Sequence, residues 1–192
     1  MAGEALDANA SQRRYWNTVA GPRWVATPGF RERRNQESLA LLLAHLGLTG
    51  GESVLEIGCG TGALTLPLAE AVGEHGRVVA VDISEPMLGA ARQKVGERGL
   101  RNVTLLSGDA QVFAFEPGAF DLATSRMGVM FFADPTAAFR NIKGGLKPGD
   151  GWVRRDRGRA SPSDDHLRHP RGRSAPSRYD GADGTVDRSE KP

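Results

Sequence analysis

The chain has 192 residues, of which 39% are hydrophobic and 25% charged, and this size and composition fit one domain with a core of ordinary size. It contains one cysteine and four histidines, which exclude an internal disulfide and offer no metal-ligand spacing. We therefore expect a cytoplasmic protein without a bound metal.

The distribution of charge argues against a nucleic-acid partner. Residues 1–149 carry 15 Lys and Arg against 15 Asp and Glu, so the small excess comes from residues 150–192, with 10 basic and 8 acidic side chains. Interleaved charges of this kind do not form a basic stripe that follows a phosphate backbone. We expect no nucleic-acid binding.

The first part of the chain reads as helical. Residues Met1 to Arg14 lack the apolar centre of a signal peptide, and helices are predicted from Ser11 to Ala20 and from Phe30 to Leu48. The longest apolar run, Leu39 to Leu48, is too short to span a bilayer, so we expect a core helix and no membrane span.

Residues 53–62 read as a buried parallel strand that runs directly into a glycine-rich turn and then a helix. A continuous apolar run is typical of a strand covered on both faces, and the glycines let the backbone turn sharply and approach a ligand closely. Glu56 is discordant, because a carboxylate in a buried strand is costly unless it meets a donor or a cation. A ligand ammonium would suit it.

Three further segments repeat the pattern of an apolar strand followed by a polar residue. Val78 to Val81 end in Asp82, a third strand precedes Gly108-Asp109-Ala110, and a fourth is predicted at Phe120 to Ala123. Leu146-Lys147-Pro148-Gly149 precedes the place of a fifth strand. The carboxyl ends of parallel strands form the usual ligand site of an open α/β sheet.

The composition changes abruptly after Gly149. Residues 150–192 contain 8 apolar residues in 43 and are rich in Arg, Asp, Ser, Gly and Pro. Such a segment buries too little apolar surface to offset its ordering entropy, so we expect disorder. It is either a natural tail or the product of a lost reading frame near Gly149. The abrupt change at a motif junction favours the second explanation and predicts weak or no activity.

Taken together, these motifs resemble those of class I S-adenosylmethionine-dependent methyltransferases. The resemblance rests on residues 56–62 and the ordered elements that follow, up to Gly149. The segment from Ser125 to Pro135 and the aromatic residues near the amino terminus are similar to the branch that includes ubiquinone and menaquinone methyltransferases. The family implies an α/β fold with a doubly wound, Rossmann-like parallel sheet, here expected to lack its last strands.

The resemblance also implies the ligands and a division of the chain. The cofactor would be S-adenosyl-L-methionine, the methyl acceptor a small molecule, and the reaction a direct displacement. Residues 1–50 would form a helical lid, residues 51–149 the cofactor-binding core, and residues 150–192 the tail.

Site residues follow from matching positions in the family pattern. Asp82 would bind the ribose hydroxyls, Asp109 the adenine amino group, and Glu56 the amino group of the methionine moiety. The full set of expected cofactor-binding residues is Glu56, Gly58, Gly60, Gly62, Asp82, Ile83, Met87, Asp109, Ala110 and Arg126. The expected acceptor-binding residues are Tyr15, Trp16, Trp24 and Met127.

Two alternatives stay open. Gly58, Gly60 and Ala63 also fit the glycine turn of an NAD-dependent Rossmann oxidoreductase, in which Asp82 would again bind a ribose. Glu56 argues against it, because its charge would repel a pyrophosphate. The second alternative is a non-catalytic, cofactor-binding remnant. No residue is predicted as a general base, so the catalytic residues are unknown.

Overall fold

The computed structural model of the chain describes residues 9–27 and 36–149. The tail predicted at residues 150–192, and residues 30–35 of the second predicted helix, lie outside the described residues. The described helices are α1 Ala10–Tyr15, a π-helical turn Trp16–Ala20, α2 Gly21–Ala26, α3 Gln36–Leu46, α4 Thr65–Val72, α5 Glu85–Glu97, a 3₁₀ turn Gly128–Phe131 and α6 Pro135–Gly144. The described strands are β1 Ser53–Ile57, β2 Arg77–Asp82, β3 Val103–Ser107 and β4 Leu122–Thr124.

Within the described residues the four strands form one parallel sheet in the order β3-β2-β1-β4. The order reverses at β1, because the chain first adds strands on one side and then returns to add β4 on the other. This confirms the predicted α/β, doubly wound fold. The reversal opens a crevice at the carboxyl end of β1, where open sheets of this kind bind ligands.

The strands bury both faces, as their apolar runs predict. One face, with Val54, Val78 and Ala80, packs into a core with residues of α3, α4 and α5. The other face, with Leu55, Ile57 and Val81, packs against α6. Helices on both sides of the sheet therefore hold the strand ends in fixed positions.

The fourth strand begins later than the sequence predicts. Pairing with β1 starts at Leu122, opposite Val54, whereas Phe120 forms an isolated parallel bridge with Leu146. Asp121 lies between these pairings, and its backbone N–H and carboxylate bond the backbone of Ser53. The side chain of Asp121 thus replaces a ladder bond and shortens β4 to three residues.

The first predicted helix, from Ser11 to Ala20, is longer in the structure. It runs from residue 10 to residue 26 and passes through Gly21-Pro22, because the π-helical turn before Gly21 accommodates the proline at the start of α2. The ordered stretch 9–27 is called the N-terminal segment below. α3 is not part of this segment. Its residues Leu39, Leu42 and Leu43 pack against the core cluster to which α4 also contributes.

The N-terminal segment docks on the loop between β2 and α5. Asn17 donates a hydrogen bond from Nδ2 to the carbonyl of Ile83 at 2.8 Å and accepts one from the backbone N–H of Glu85 at 3.0 Å. Ser84 occupies the N-cap position of α5, but its hydroxyl donates to the carbonyl of Trp16 at 2.8 Å instead of capping the helix. Asn17 therefore supplies the oxygen that accepts from the first turn of α5.

Among the described helices, none has both the length and the apolar character needed to cross a membrane.

Candidate functional site

A cavity of about 180 Å³ lies at the carboxyl ends of the strands, between the sheet and the N-terminal segment. Its floor comes from the end of β1 and the glycine turn, its sides from the residues that follow β2, β3 and β4, and its cover from the N-terminal segment. This is the crevice that the strand order predicts.

The glycine turn fits closely against the loop after β4. A Cβ atom on Gly58 would lie 2.6 Å from the Cα of Gly128, and Gly58 has a φ of +69°. Ser125 reinforces this contact, since its hydroxyl donates to the carbonyl of Ile57 at 2.8 Å and accepts from the N–H of Gly128 at 3.1 Å. Gly58 is therefore required by packing between two backbone segments, in addition to any ligand.

Asp82 is fixed at the end of β2 by backbone donors. Its Oδ2 accepts from the N–H of Gly60 at 2.7 Å, and its Oδ1 accepts from the N–H of Ser84 at 2.8 Å. Burial raises the pKa of Asp82, and these backbone hydrogen bonds lower it in part. The backbone N–H of Ile83 also stabilises the ionised form of Asp82, so a carboxylate fixed by backbone donors lines the cavity and offers its remaining acceptor capacity to a ligand.

Glu56 is 1% exposed and lines the floor of the cavity. Thr65, the first residue of α4, donates a hydrogen bond from its hydroxyl to Oε2 of Glu56 at 2.6 Å. Burial raises the pKa of Glu56 to about 7, the Thr65 hydrogen bond lowers it, the nearby charge of Asp82 raises it and Arg126 lowers it. A ligand cation at this position would favour the ionised form.

Asp109 lies in a buried polar network that includes two residues the sequence did not indicate. Asn9 donates from Nδ2 to Oδ2 of Asp109 at 2.8 Å and to Oε1 of Gln111 at 3.3 Å. The backbone N–H of Gln111 donates to Oδ1 of Asp109 at 2.9 Å. Both carboxylate oxygens thus have a protein donor, and the orientation of the Asp109 side chain is set.

Arg126 is the one cationic side chain among the described residues that line the cavity. It follows β4 and is close enough to Glu56 to lower the pKa of that carboxyl. The cavity therefore carries three carboxylates and one guanidinium on otherwise largely apolar walls, a charge pattern suited to a small ligand with both cationic and anionic groups.

Aromatic side chains of the N-terminal segment and of the loop after β4 also line the cavity. Trp16 packs edge-on against Phe131 with ring centroids 5.1 Å apart and lies beside Trp24 at 6.3 Å. Tyr15 packs on Trp16 from outside, is 51% exposed and does not line the cavity. Met127, which does line it, is 47% exposed and has a left-handed backbone with φ 68°.

The structure brings most of the predicted site residues together. Those that line the cavity are Trp16, Trp24, Glu56, Gly58, Gly60, Asp82, Ile83, Met87, Asp109, Ala110, Arg126 and Met127. Tyr15 and Gly62 do not; Gly62 instead faces α5, where an added Cβ would lie 3.3 Å from the Cβ of Ala91.

The sequence did not point to Asn9, Gln12 or Phe131, which also line the cavity. Asn9 and Gln12 belong to no motif and follow no strand, whereas Phe131 lies in the segment from Ser125 to Pro135 but was not singled out there. The partners of Asn9 lie about 100 residues away and leave no local signal. Thr65 was also missed, although a hydroxyl nine residues after a buried glutamate is a plausible partner in a strand-turn-helix unit.

Neither of two other kinds of site is apparent in the part of the chain that the structure describes. No group of three or more His, Cys, Asp or Glu residues could hold a metal ion there. Cys59 is buried in the glycine turn, and burial raises the pKa of its thiol, so it is held in the unreactive, protonated form.

Comparison with known proteins agrees with this geometry. Residues 54–149 match the model of a family described as "Methyltransferase domain". A demethylmenaquinone methyltransferase from Lactococcus lactis subsp. lactis (strain IL1403) is 37% identical over 110 residues, 57% of this chain and 44% of that protein. Nocamycin O-methyltransferase from Saccharothrix syringae is 44% identical over 91 residues, 47% of this chain and 32% of that protein. The chain thus spans less than half the length of either relative.

The fold is also similar to that of a solved structure. A SAM dependent methyltransferase from Aquifex aeolicus superposes with a TM-score of 0.54 and 25% sequence identity, covering 72% of this chain and 67% of that one. The family match covers half of the chain and includes the whole described sheet apart from the first residue of β1. On this evidence the chain belongs to the family of class I S-adenosylmethionine-dependent methyltransferases.

Proposed function

We propose that this chain binds S-adenosyl-L-methionine in the cavity and promotes transfer of its methyl group to a small-molecule acceptor. The observation that carries the proposal is the row of carboxylates Glu56, Asp82 and Asp109, at or just beyond the ends of three adjacent strands and in one cavity. Their order matches that of the three hydrogen-bond donors of the cofactor, namely the ammonium, the ribose diol and the adenine amino group.

The donor set supports this assignment chemically. Asp82 lines the cavity as a carboxylate fixed by backbone donors, and its remaining acceptor capacity suits the ribose hydroxyls. Glu56 suits the ammonium, and Arg126 suits the carboxylate of the same amino-acid moiety. Ile83 and Met87 offer apolar contact to the faces of the adenine ring.

The bound cofactor would supply a methyl group activated by a positively charged sulfur. The residues of this chain hold the cofactor and the acceptor in line and keep water away from them, which are the main contributions that a direct displacement requires. Trp16, Trp24 and Met127 form the wall where an acceptor would lie. Their aromatic and thioether surfaces favour a flat, largely apolar acceptor.

The cavity is smaller than the roughly 300–1,000 Å³ that is usual for ligand sites. We therefore expect the N-terminal segment to move outward when ligands enter. The contacts of Asn9 and Asn17, together with the packing of Trp16 on Phe131, hold it in the closed position.

A methyl-transfer assay tests the proposal. The chain is incubated with S-adenosylmethionine labelled in the methyl group and with flat acceptors such as a demethylated quinone or an aromatic polyketide. Because the composition after Gly149 predicts weak activity at most, we expect weak acceptor-dependent transfer of label, reduced at least tenfold by Asp82→Ala because the ribose contact is lost. Transfer that Asp82→Ala leaves unchanged would contradict the site, and no transfer despite cofactor binding would favour a non-catalytic remnant.

A further inference from the structure

Asn9 is the most deeply placed polar side chain of the N-terminal segment. It is 2% exposed and makes three contacts with residues that lie 100 or more positions away in the chain. Its Nδ2 donates to Asp109 and Gln111, and its Oδ1 accepts from the backbone N–H of Ala133 at 2.9 Å. Burying an asparagine side chain costs free energy unless it is hydrogen-bonded. The bonds of Asn9 offset that cost and fix the positions of its partners.

These contacts connect three walls of the cavity. Asp109 follows β3, Ala133 belongs to the loop after β4, and Asn9 begins the N-terminal segment, where its carbonyl also accepts from the N–H of Arg13 at 2.8 Å. Gln111 adds a further connection, since its Oε1 accepts from the N–H of Asp134 at 3.0 Å. Asn9 therefore closes the end of the cavity that Asp109 occupies.

The consequence for Asp109 is specific. With Asn9 donating to one oxygen and the backbone N–H of Gln111 donating to the other, both carboxylate oxygens act as acceptors and the side chain is held in one orientation, so it presents acceptor lone pairs to the cavity. Such an acceptor favours a purine with a 6-amino group over one with a 6-oxo group, which would place two oxygens against each other. A site rejects a ligand strongly when that ligand would leave one of the site's buried polar groups without a hydrogen bond.

We infer that Asn9 is a positioning residue for base specificity: it fixes Asp109 as a hydrogen-bond acceptor and so selects the adenine base of the cofactor. This inference rests on the proposed function, because it assumes that the cofactor lies in the cavity with its base at Asp109. It adds a residue outside the sequence motifs and gives it a role that acts through Asp109.

The test measures two ligands against matched variants. S-adenosylhomocysteine and S-inosylhomocysteine differ in the 6-amino or 6-oxo group of the base and in the proton that the 6-oxo base carries on N1. Both are titrated by calorimetry into the wild-type chain, Asn9→Ala and Asn17→Ala. Asn17 also fastens the N-terminal segment but contacts Ile83 and Glu85 instead of Asp109, so Asn17→Ala reports the effect of loosened docking alone.

We expect Asn9→Ala to weaken binding of the adenine ligand by about tenfold and of the inosine ligand by about twofold or less, so that the preference for adenine falls by about fivefold. Asn17→Ala should weaken both ligands by the same factor. If Asn9→Ala does not fold, Asn9→Asp keeps an acceptor for Ala133 and replaces the donor to Asp109 by a like charge, and the same loss of preference is expected.

An unchanged adenine preference in the Asn9 variants, with wild-type binding intact, would overturn the inference and leave the proposed function standing. Failure of the wild-type chain to bind S-adenosylhomocysteine would overturn the proposed function itself, and the inference with it.

Discussion

At the scale of single residues, Glu56 has the clearest dependence on pH. Its pKa is raised by burial from an ordinary 4.5 to about 7, so between these values the folded chain binds more protons than the unfolded chain. The free energy of unfolding therefore falls as the pH rises from about 4.5 to 7. A ligand ammonium near Glu56 favours the ionised carboxylate. The affinity for such a ligand should therefore rise with pH over the same range.

We predict that S-adenosylhomocysteine binds about tenfold more tightly at pH 7 than at pH 5.5, because binding must remove the proton from Glu56 at the lower pH. Calorimetric titration at both pH values measures the change. The control is 5′-methylthioadenosine, which keeps the base and the ribose but lacks the amino-acid moiety. Its affinity should change less between the two pH values, and the difference between the two ligands removes the contribution of Asp82, whose pKa is also raised by burial. Equal pH dependence of the two ligands would show that Glu56 does not meet the ammonium.

Two variants of Asp82 separate its contribution to ligand affinity from its contribution to folding stability. Asp82→Ala should weaken S-adenosylhomocysteine binding by about 2–4 kcal/mol, the cost of losing charge-assisted hydrogen bonds in a partly desolvated site. Asp82→Asn keeps one oxygen for the N–H of Gly60 or Ser84 and should melt closer to the wild type while still binding weakly. Calorimetry and thermal unfolding measure the two effects, and unchanged affinity in Asp82→Ala would remove Asp82 from the ribose site.

The residues that the sequence could predict are those whose position follows from local pattern. Asp82 and Asp109 come directly after apolar strands, so their place at the sheet edge follows from parallel topology. Asn9 has no such signal, because its partners lie about 100 residues away and only the folded chain brings them together. Gly58 was predicted for its conformation, but its contact with Gly128 appears only in three dimensions.

At the scale of elements, the N-terminal segment covers the cavity through Trp16 and Trp24. We predict that Trp16→Ala and Trp24→Ala impair acceptor use more than cofactor affinity, since both rings belong to the N-terminal segment and not to the strand ends that carry the carboxylates. For each variant, the change in the KM of an acceptor is compared with the change in affinity for S-adenosylhomocysteine. A loss of cofactor affinity equal to the loss in acceptor use would instead make the rings part of the cofactor site.

The loop after β4 and the glycine turn after β1 form one packed unit. A Cβ on Gly128 would lie 2.6 Å from the carbonyl oxygen of Ile57 and 2.7 Å from the Cα of Gly58, so neither backbone can yield easily. We predict that Gly128→Ala lowers the free energy of unfolding by about 1–3 kcal/mol. Gly89→Ala, in α5 with nothing within 4 Å of the added atom, should raise it by about 0.5–1 kcal/mol.

Urea unfolding of the two glycine variants gives both values. Equal stability of Gly128→Ala and the wild type would mean that the two backbones are less closely packed than the distances indicate.

Element boundaries show where sequence patterns lose their power. The apolar run at β1 predicts the strand well, since both of its faces are buried. The start of β4 was misplaced because Asp121 uses its side chain to bond Ser53, and such a substitution cannot be read from hydrophobicity. The cap of α5 cannot be read from local sequence either: the hydroxyl of Ser84 donates to the carbonyl of Trp16, and the side-chain oxygen of Asn17 accepts from the N–H of Glu85.

At the scale of the whole molecule, the fold explains why the site needs few chemical groups. A four-stranded parallel sheet covered on both faces fixes the strand ends, and the ends carry the carboxylates. Methyl transfer by direct displacement depends on alignment more than on acid-base groups. The sheet edge and the aromatic cover would meet that requirement in the proposed reaction.

The same glycine turn could in principle serve a nicotinamide nucleotide, and the charge of Glu56 is what argues against it. A buried carboxylate on the cavity floor attracts an ammonium and repels a pyrophosphate. The choice between the two cofactors is therefore the central claim, and it can be measured directly on the chain as it exists.

Calorimetric titration of the 192-residue chain with S-adenosylhomocysteine and, separately, with NADH at pH 7.5 makes this measurement. We predict saturable binding of S-adenosylhomocysteine at one site per chain and no detectable heat of binding with NADH. Binding of NADH with equal or greater affinity, or competition by NADH for the same site, would contradict the account.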